Sequence, residues 1–350
     1  MYVVPNYPVA VVLCVITMLC WGSWANTQKL ASGRWRFELF YWDYVLGVML
    51  MALIFAFSLG SMGTEGRSFL ADLQQAEGRW IGSAMLGGAI FNLANILLVA
   101  AIAIAGMSVA FPVGIGLALL LGVLVNYLKP GAERANPILL FLGVALVLAA
   151  IILDAIAYRR LPQQKQAGMK GIVLSVICGV LMGFFYRFVA DAIAQWVVRD
   201  PQTGELVLQA GTPVLEAGKL SPYTAVVFFS LGILLSNFII NTAIMFRPFV
   251  GEPVPVAAYF QGSALDHLWG IVGGMIWQVG MTLSIIAADK ATYAISYGLG
   301  QGATMVAAFW GVFIWREFRE APAGTGVLLA LMFAGYIIGL IFIIAARLVV

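Results

Sequence analysis

The sequence is poor in the residues on which most soluble proteins depend. Charged residues make up 10% of its 350 residues, against about 25% in a typical soluble domain. It contains one histidine, His267, and three cysteines, Cys14, Cys20 and Cys178. The spacing of these residues fits neither a zinc site nor a disulfide framework. We therefore expect no metal centre, and we expect the cysteines to be small core residues.

Further absences exclude other classes of function. The 19 Lys and Arg residues are scattered among the loops and the net charge is only +3, so no basic patch indicates a nucleic-acid partner. No ATP-binding motif is present, no converging nucleophile and base predict an enzyme, and no cofactor is implied. The first 20 residues lack the basic segment of a cleaved signal peptide, so we expect a retained first helix.

Long apolar segments dominate the sequence, and 62% of its residues are hydrophobic. A helix needs about 20 mostly apolar residues to cross a bilayer, and hydropathy predicts ten such segments in one all-α membrane domain, residues 1–350. We number them helix 1 to helix 10: 8–30, 38–60, 78–104, 107–127, 136–158, 170–197, 222–246, 266–287, 291–315 and 323–347. The longest connection, residues 199–222, is predicted to be a solvated loop with a β-hairpin within 205–218.

The two halves of the chain resemble each other in sequence. Residues 12–22 align without a gap with residues 173–183, and residues 87–95 align with residues 273–281. Helix 1 therefore corresponds to helix 6, and helix 3 corresponds to helix 8.

This alignment predicts two five-helix repeats, residues 8–158 and 170–347, in which Asn92 lies opposite Gln278. Because five is an odd number, the second repeat enters the membrane from the opposite side. Inverted repeats of this kind support alternating access to a site near the membrane midplane. Basic residues after helices 1 and 5 favour cytoplasmic connections there, with both termini outside.

Charged residues inside apolar segments need a partner or a function, since each costs about 2.5–3.5 kcal/mol on insertion scales. Arg187 and Asp191 on helix 6 are four residues apart, so they form either a structural ion pair or a coupling-ion site. Asp43 on helix 2 is either solvated among the headgroups or a proton acceptor inside the bundle. Asp154 and His267 are expected at the membrane interface.

Amide and aromatic side chains supply the candidate substrate contacts. Amides both donate and accept hydrogen bonds, which suits a neutral ligand rich in carbonyl, NH or OH groups, although such residues also bond between helices. Aromatic rings beside glycine could sandwich a ring-shaped ligand. The candidates are Trp24, Asn92, Asn95, Trp277, Gln278, Tyr297 and Gln301. Glycine-rich segments at 112–116 and 298–302 predict breaks in helices 4 and 9.

Four segments carry a resemblance to a known family. They are TMLCWGSWANTQ (17–28), YWDY (41–44), the stretch from GGAIFNLAN to PVGIG (87–116), and SYGLGQGATMVAAFWGVFIWREFRE (296–320). In this order they resemble the ureide permease family of the drug/metabolite transporter superfamily, which is related to the glucose/ribose porters and the rhamnose-proton symporter. The short link between helices 5 and 6 departs from the long cytoplasmic loop of the plant permeases.

The resemblance implies a ten-helix carrier with inverted repeats and proton-linked uptake of ureides and oxo-heterocycles such as allantoin and uracil. It also implies proton coupling at Asp43, which matches an acidic residue in the family's helix 2 motif. We therefore expect a secondary transporter in the inner membrane, with protons as the coupling ion and a small neutral ureide or nucleobase as substrate. A monosaccharide or nucleoside is the alternative substrate, and facilitation without protons is the alternative mechanism.

Overall fold

The computed structural model describes residues 1–31, 35–129, 135–161, 168–198 and 213–349. In this part of the chain, nine helices are long and apolar enough to cross a membrane, and a shorter apolar helix covers Phe111–Tyr127. All ten predicted segments therefore fall on helices, and the chain is an all-α multi-pass membrane protein.

The helices are irregular at a few places, and their bounds are as follows. Helix 1 is Tyr7–Ser23, continued by Asn26–Leu30; helix 2 is Phe37–Phe57; helix 3 is Gly78–Ala105; helix 4 is Met107–Ala110, Phe111–Ile115 and Gly116–Tyr127; helix 5 is Pro137–Arg159; helix 6 is Met169–Ala192; helix 7 is Pro222–Phe246; helix 8 is Ala264–Ala291; helix 9 is Tyr293–Gly300, Ala303–Phe309 and Trp310–Ile314; and helix 10 is Thr325–Leu348. Short helices also cover Phe69–Gln75 and Val256–Gln261.

Polar residues mark where several helices begin. The side chains of Asn6, Asn136, Ser221 and Ser263 each accept a hydrogen bond from a backbone N–H in the first turn of the following helix. Asp266 completes a capping box with Ser263. These bonds satisfy N–H groups that the helix itself leaves unpaired.

Single residues with positive φ join helix 3 to helix 4 and helix 8 to helix 9. They are Gly106, with φ 77°, and Thr292, with φ 74°. The predicted breaks are confirmed: helix 4 contains a π-helical turn at Phe111–Ile115, and helix 9 is interrupted after Gly300. π-Helical turns of this kind are often found at functional sites.

The contacts between helices form a pattern that repeats in the two halves. Helix 3 packs on helices 6 and 7, and helix 8 packs on helices 1 and 2. Helix 4 packs on helix 6 as helix 9 packs on helix 1, and helix 5 packs along helix 10. Exchanging each helix with the one five positions later leaves these contacts unchanged, which supports the predicted repeats over residues 8–158 and 170–347.

Glycines at equivalent places allow the closest of these contacts. A Cβ atom on Gly47 of helix 2 would lie 2.0 Å from a carbonyl oxygen of helix 8, and one on Gly232 of helix 7 would lie 2.0 Å from a carbonyl oxygen of helix 3. Gly88 and Gly274, which the sequence alignment pairs, make the converse contacts at 2.0 and 1.9 Å. Any side chain at these positions would force the helices apart.

Gly47→Ala and Gly232→Ala are each expected to lower the melting temperature of the detergent-solubilised protein. Overpacking of this kind costs about 1–3 kcal/mol. The control is Gly82→Ala in helix 3, whose Cβ would meet nothing within 4 Å. It is expected to leave the melting temperature unchanged or slightly raised, because alanine stabilises a helix by about 0.5–1 kcal/mol relative to glycine. Equal losses in all three variants would contradict this account of the packing.

The long connection after helix 6 differs from its prediction. Strand Trp196–Val198 pairs antiparallel with strand Pro213–Leu215, so the first strand lies before the hairpin predicted within 205–218. Residues 199–212 lie outside the described part of the chain.

The predicted solvated loop covers residues 199–222, and its last residues are buried. Leu220 and Ser221 are both fully buried. The Ser221 N–H donates to Asp72 Oδ2 at 2.6 Å, and Arg67 binds the other carboxylate oxygen at 2.6 Å. The prediction of a solvated loop is therefore wrong for this end, because Asp72 anchors it to the short helix before helix 3.

The cysteines are free thiols. Cys14 and Cys178 are buried, and Cys20 is half-buried. Their predicted place in the core is therefore confirmed for Cys14 and Cys178, and Cys14 contacts the Ser296 hydroxyl at 3.6 Å.

Candidate functional site

A cluster of aromatic rings lies between the two halves of the bundle, centred on Trp277 of helix 8. The Trp277 ring centroid lies 4.4 to 6.5 Å from those of four other rings: Phe91, Trp21, Phe229 and Tyr44. Trp24 joins the cluster through Tyr44, at 4.7 Å. The structure thus brings Trp24 and Trp277 into one cluster.

Tyr297 continues the same row of rings by way of Phe185. The Phe185 centroid lies 5.1 Å from that of Phe91 and 6.4 Å from that of Tyr297. The Tyr297 hydroxyl lies 3.0 Å from the Met182 carbonyl oxygen and 3.2 Å from the Ala118 carbonyl oxygen. The hydroxyl is therefore hydrogen-bonded to helices 4 and 6, and the ring contacts the rings of Phe185 and Tyr186.

The predicted amides of helix 3 are buried beside these rings. Asn95 donates to the Tyr41 hydroxyl at 3.2 Å, and Tyr41 stacks on Tyr44 at 5.1 Å. Asn92 donates to the Ser236 hydroxyl at 3.0 Å. Its Oδ1 atom accepts no hydrogen bond from any residue that the structure describes.

The two predicted glutamines are buried on helices 8 and 9. Ser230 donates to Gln278 Oε1 at 3.4 Å, and Gln278 donates to Thr282 at 3.2 Å. Both ends of this amide are therefore engaged. Gln301 occupies the turn that interrupts helix 9, and its neighbour Gly300 packs against the Trp21 ring.

Three fully buried side chains near the cluster have polar atoms without partners. They are the hydroxyl of Tyr44, Oδ1 of Asn92 and both amide atoms of Asn237, judged over the described residues. They lie on helices 2, 3 and 7, which pack together. A buried polar group left unpaired costs about 1–3 kcal/mol. This set can therefore gain stability from a ligand that both donates and accepts hydrogen bonds.

Asp43 is buried, so it is not a carboxylate solvated among the headgroups. Its side chain is 2% exposed. The Tyr259 hydroxyl donates to Oδ1 at 2.5 Å, and His267 Nδ1 lies 3.0 Å from Oδ1 and 2.9 Å from Oδ2. The interfacial placement of His267 stays a prediction: its side chain is 26% exposed near the start of helix 8, and its ring contacts this carboxylate. Burial, together with the hydrogen bond to Asp43, raises the pKa of Tyr259 above its ordinary value.

Arg187 and Asp191 form an ion pair at the end of helix 6, with 2.7 Å between Nε and Oδ2. Lys129 is a third member: its Nζ lies 3.6 Å from Asp191 Oδ1, 4.4 Å from the centre of the Tyr293 ring, and donates to the Ala190 carbonyl. Burial lowers the pKa of Lys129 to about 8, although Asp191 opposes this shift. The lysine thus binds the carbonyl end of helix 6, where a cation is favourable, which fits the structural alternative.

These charged groups lie at opposite ends of the bundle. Asp43 and His267 are near the starts of helices 2 and 8, whereas Asp191 is at the end of helix 6. Since the helices alternate in direction, the first end is opposite the termini and the second end carries them. The structure therefore does not bring Asp43 together with Arg187 and Asp191.

Asp154 on helix 5 is 1% exposed, so its predicted interfacial placement is wrong. Helix 10 packs along helix 5 and covers it. Its Oδ1 accepts no hydrogen bond from the described residues. One turn later, Tyr158 donates to Glu317 at 2.9 Å, and Glu317 pairs with Lys29 at 2.8 Å.

A cavity of about 1150 Å³ opens at the end of the bundle that carries the termini. It is lined by residues 1–4, by residues 193–196 after helix 6, and by the junction of helices 8 and 9. None of the predicted substrate contacts lines it. Tyr293 in its wall lies 6.2 Å from Tyr186, which lies 5.2 Å from Tyr297. A row of rings therefore leads from the cavity to the aromatic cluster.

Sequence reasoning did not single out several members of these clusters, among them Tyr44, Tyr259 and Lys129. Tyr44 lies one turn after Tyr41, and this spacing could have indicated that both rings face the bundle. Tyr259 and Lys129 lie outside the apolar segments, and no local pattern predicts what they contact.

Comparison with known proteins identifies the family. Residues 40–176 and 159–346 match the model of the ureide permease family. The chain belongs to this family. It is therefore a membrane transporter rather than an enzyme.

Relatives of similar length extend this family match along the chain. Ureide permease 1 of Arabidopsis thaliana is 23% identical and aligns over 99% of both chains. Ureide permease 2 of the same plant is 24% identical over 95% of both chains. A crystal structure described only as that of a protein shares the fold, with a TM-score of 0.57, 16% identity, and coverage of 98% of this chain and 99% of the other.

Proposed function

We propose that this protein is a proton-coupled secondary transporter of a ureide, nucleobase or related planar heterocycle across the cytoplasmic membrane. The observation that carries the proposal is that buried polar atoms of Tyr44, Asn92 and Asn237 have no partner among the described residues, and that the Tyr44 ring belongs to the Trp277 cluster. Ureides and nucleobases offer NH and C=O groups to such atoms and, when cyclic, a flat face to the rings. The names of the plant relatives support this class of substrate.

The proposal includes alternating access between the two repeats. The cavity opens beside the termini, while the segment before helix 8 covers Asp43 at the opposite end. We assign this arrangement to the state open on the side of the termini. In an inverted repeat, exchanging the conformations of the two halves opens the other side.

Within this proposal Asp43 binds the coupling proton. It is a buried carboxylate whose charge changes when a proton arrives, and its described partners are a hydroxyl and an imidazole rather than a fixed cation. Arg187 and Asp191 stay a second prediction for coupling; they pair with each other, and Lys129 adds a positive charge beside Asp191.

Reconstitution of the purified protein in liposomes tests the proposal. Labelled allantoin, uracil, uridine and glucose are offered separately, with and without an inward proton gradient. We expect saturable uptake of allantoin or uracil that is stimulated by the gradient and lost with a protonophore. Preferred uptake of glucose or uridine would favour the alternative substrates, and uptake insensitive to the protonophore would contradict the coupling. No saturable uptake of any compound would overturn the proposal.

Tyr44→Phe is expected to weaken substrate binding without destabilising the protein. The variant keeps the ring and removes a hydroxyl that has no partner among the described residues. A lost hydrogen bond to the ligand costs about 0.5–1.5 kcal/mol, so KM for uptake should rise roughly two- to tenfold. The control is Tyr336→Phe on helix 10, whose buried hydroxyl likewise has no hydrogen-bond partner among the described residues. KM is expected to stay unchanged in the control, and equal KM values for both variants would contradict the assignment.

A further inference from the structure

We infer that the coupling proton is shared by Asp43 and His267, and that Tyr259 makes this site a latch that closes the end of the bundle opposite the termini. The inference rests on the proposed function and deepens it. It assigns His267 and Tyr259, neither of which the family resemblance marks. It also states that the proton leaves when residues 247–263, the segment that covers the site, move away from it.

The geometry places a single acidic group between a hydroxyl donor and an imidazole nitrogen. His267 Nδ1 lies almost equally far from the two oxygens of Asp43, at 3.0 and 2.9 Å. The Tyr259 hydroxyl donates to Oδ1 at 2.5 Å. A proton bound at this site has two places: on the imidazole, which then donates to the ionised carboxylate, or on the carboxyl group, which then donates to Nδ1.

No fixed cation competes for this role in the described part of the chain. Among the described residues, Asp43 forms an ion pair only with His267. Arg36, the residue before helix 2, pairs with Glu38 at 2.6 Å. Asp266 acts on Asp43 at longer range, and its charge is negative. The site is therefore close to neutral with one proton bound and carries an uncompensated buried charge without it.

The covering segment, residues 247–263, shields this charge from water. Tyr259 packs against His267 at 4.7 Å and Trp35 at 6.1 Å, and Trp35 packs against His267 at 5.0 Å. A Cβ atom on Gly262 would lie 2.5 Å from the Trp35 ring and 2.8 Å from His267 Nε2. Arg36 also donates to the Glu252 carbonyl. The segment thus closes directly over the imidazole.

The consequence is a link between protonation and opening. A neutral site tolerates burial under the segment, whereas an unprotonated site has a net negative charge that favours hydration. Loss of the proton therefore favours the open segment, and opening in turn exposes the site and favours release of the proton on that side. Binding of the proton favours the closed arrangement seen here.

His267→Gln tests the shared site in liposomes. Glutamine can still donate to Asp43 but binds no proton, so we expect substrate exchange to continue while accumulation driven by the gradient is lost. With one proton per substrate, one unit of pH difference supports about tenfold accumulation, and the variant should show none. Asp154→Asn, which removes a buried carboxylate at helix 5, should accumulate substrate as the wild type does. Wild-type accumulation in His267→Gln would overturn the inference and leave the proposed transport intact.

Hydrogen–deuterium exchange tests the latch without any substrate. After correction for intrinsic exchange, protection of residues 247–263 in the wild type should be lower at about pH 8 than at about pH 6, because loss of the shared proton favours the open segment. His267→Gln should lose this pH dependence, and Tyr259→Phe should be less protected at both values. Peptides from helix 10 serve as the internal reference. Protection of the segment that is independent of pH in the wild type would overturn the latch, whatever the outcome of the transport assay.

Discussion

Asp43→Asn is expected to abolish accumulation of substrate against a gradient while substrate exchange across the membrane continues. Asparagine has the same shape as aspartate, and its carbonyl oxygen can still accept the hydrogen bond that Tyr259 donates. It cannot bind a proton in the relevant pH range. A one-unit proton gradient should therefore drive about tenfold accumulation in the wild type and none in the variant. Net uptake and counterflow are measured in the same liposome preparation.

One control variant and a measurement of the melting temperature accompany this test of Asp43. Asp154→Asn removes the buried carboxylate on helix 5 and should retain full accumulation. Loss of accumulation in that variant alone would move the coupling site to helix 5. If Asp43→Asn instead loses exchange and its melting temperature falls, Asp43 holds helices 2 and 8 together and has no separate role in coupling.

Trp277→Ala is expected to abolish saturable uptake of the substrate. The ring contacts aromatic side chains from helices 1, 2, 3 and 7, so its loss removes the surface shared by both halves. Truncating a buried aromatic side chain also costs about 3–5 kcal/mol of stability. Trp277→Phe keeps a ring at this place and should retain uptake with a higher KM.

The matched control for Trp277 is Trp42→Ala. Trp42 also lies on an apolar helix, but its ring contacts Phe238 and Met245 away from the cluster. Uptake by this variant should equal that of the wild type. Unchanged KM in Trp277→Phe, with the variant present in the membrane at wild-type levels, would contradict the assignment of this ring to the substrate site.

The fold could be predicted from the sequence because the bilayer imposes a strong constraint on it. Each span must be apolar and about 20 residues long, and the ten predicted segments accordingly fall on helices. Gly88 and Gly274, which the sequence alignment pairs, lie at two of the closest helix contacts, although the alignment alone did not indicate those contacts. The same alignment placed Asn92 and Gln278 on the two helices that meet at the aromatic cluster.

The partners of the charged groups could not be predicted in the same way. His267 is 224 residues from Asp43 in the sequence, and Tyr259 is 216 residues away. Their contacts depend on how helices 2 and 8 are rotated against each other, which hydropathy does not report. Asp154 was misplaced for a related reason: its burial comes from helix 10, which packs over that face of helix 5.

The two junctions with positive φ differ in backbone strain. Gly106 adopts its backbone conformation without strain, but Thr292, with φ 74° and ψ 152°, occupies a region that side chains disfavour by about 1–3 kcal/mol. The Thr292 hydroxyl also caps the following helix by accepting from the Ile295 N–H at 3.3 Å. The strained junction lies beside the cavity, and the unstrained one lies at the other end of the bundle. If the two halves exchange conformations during transport, the two junctions therefore contribute unequal backbone energies to the two states.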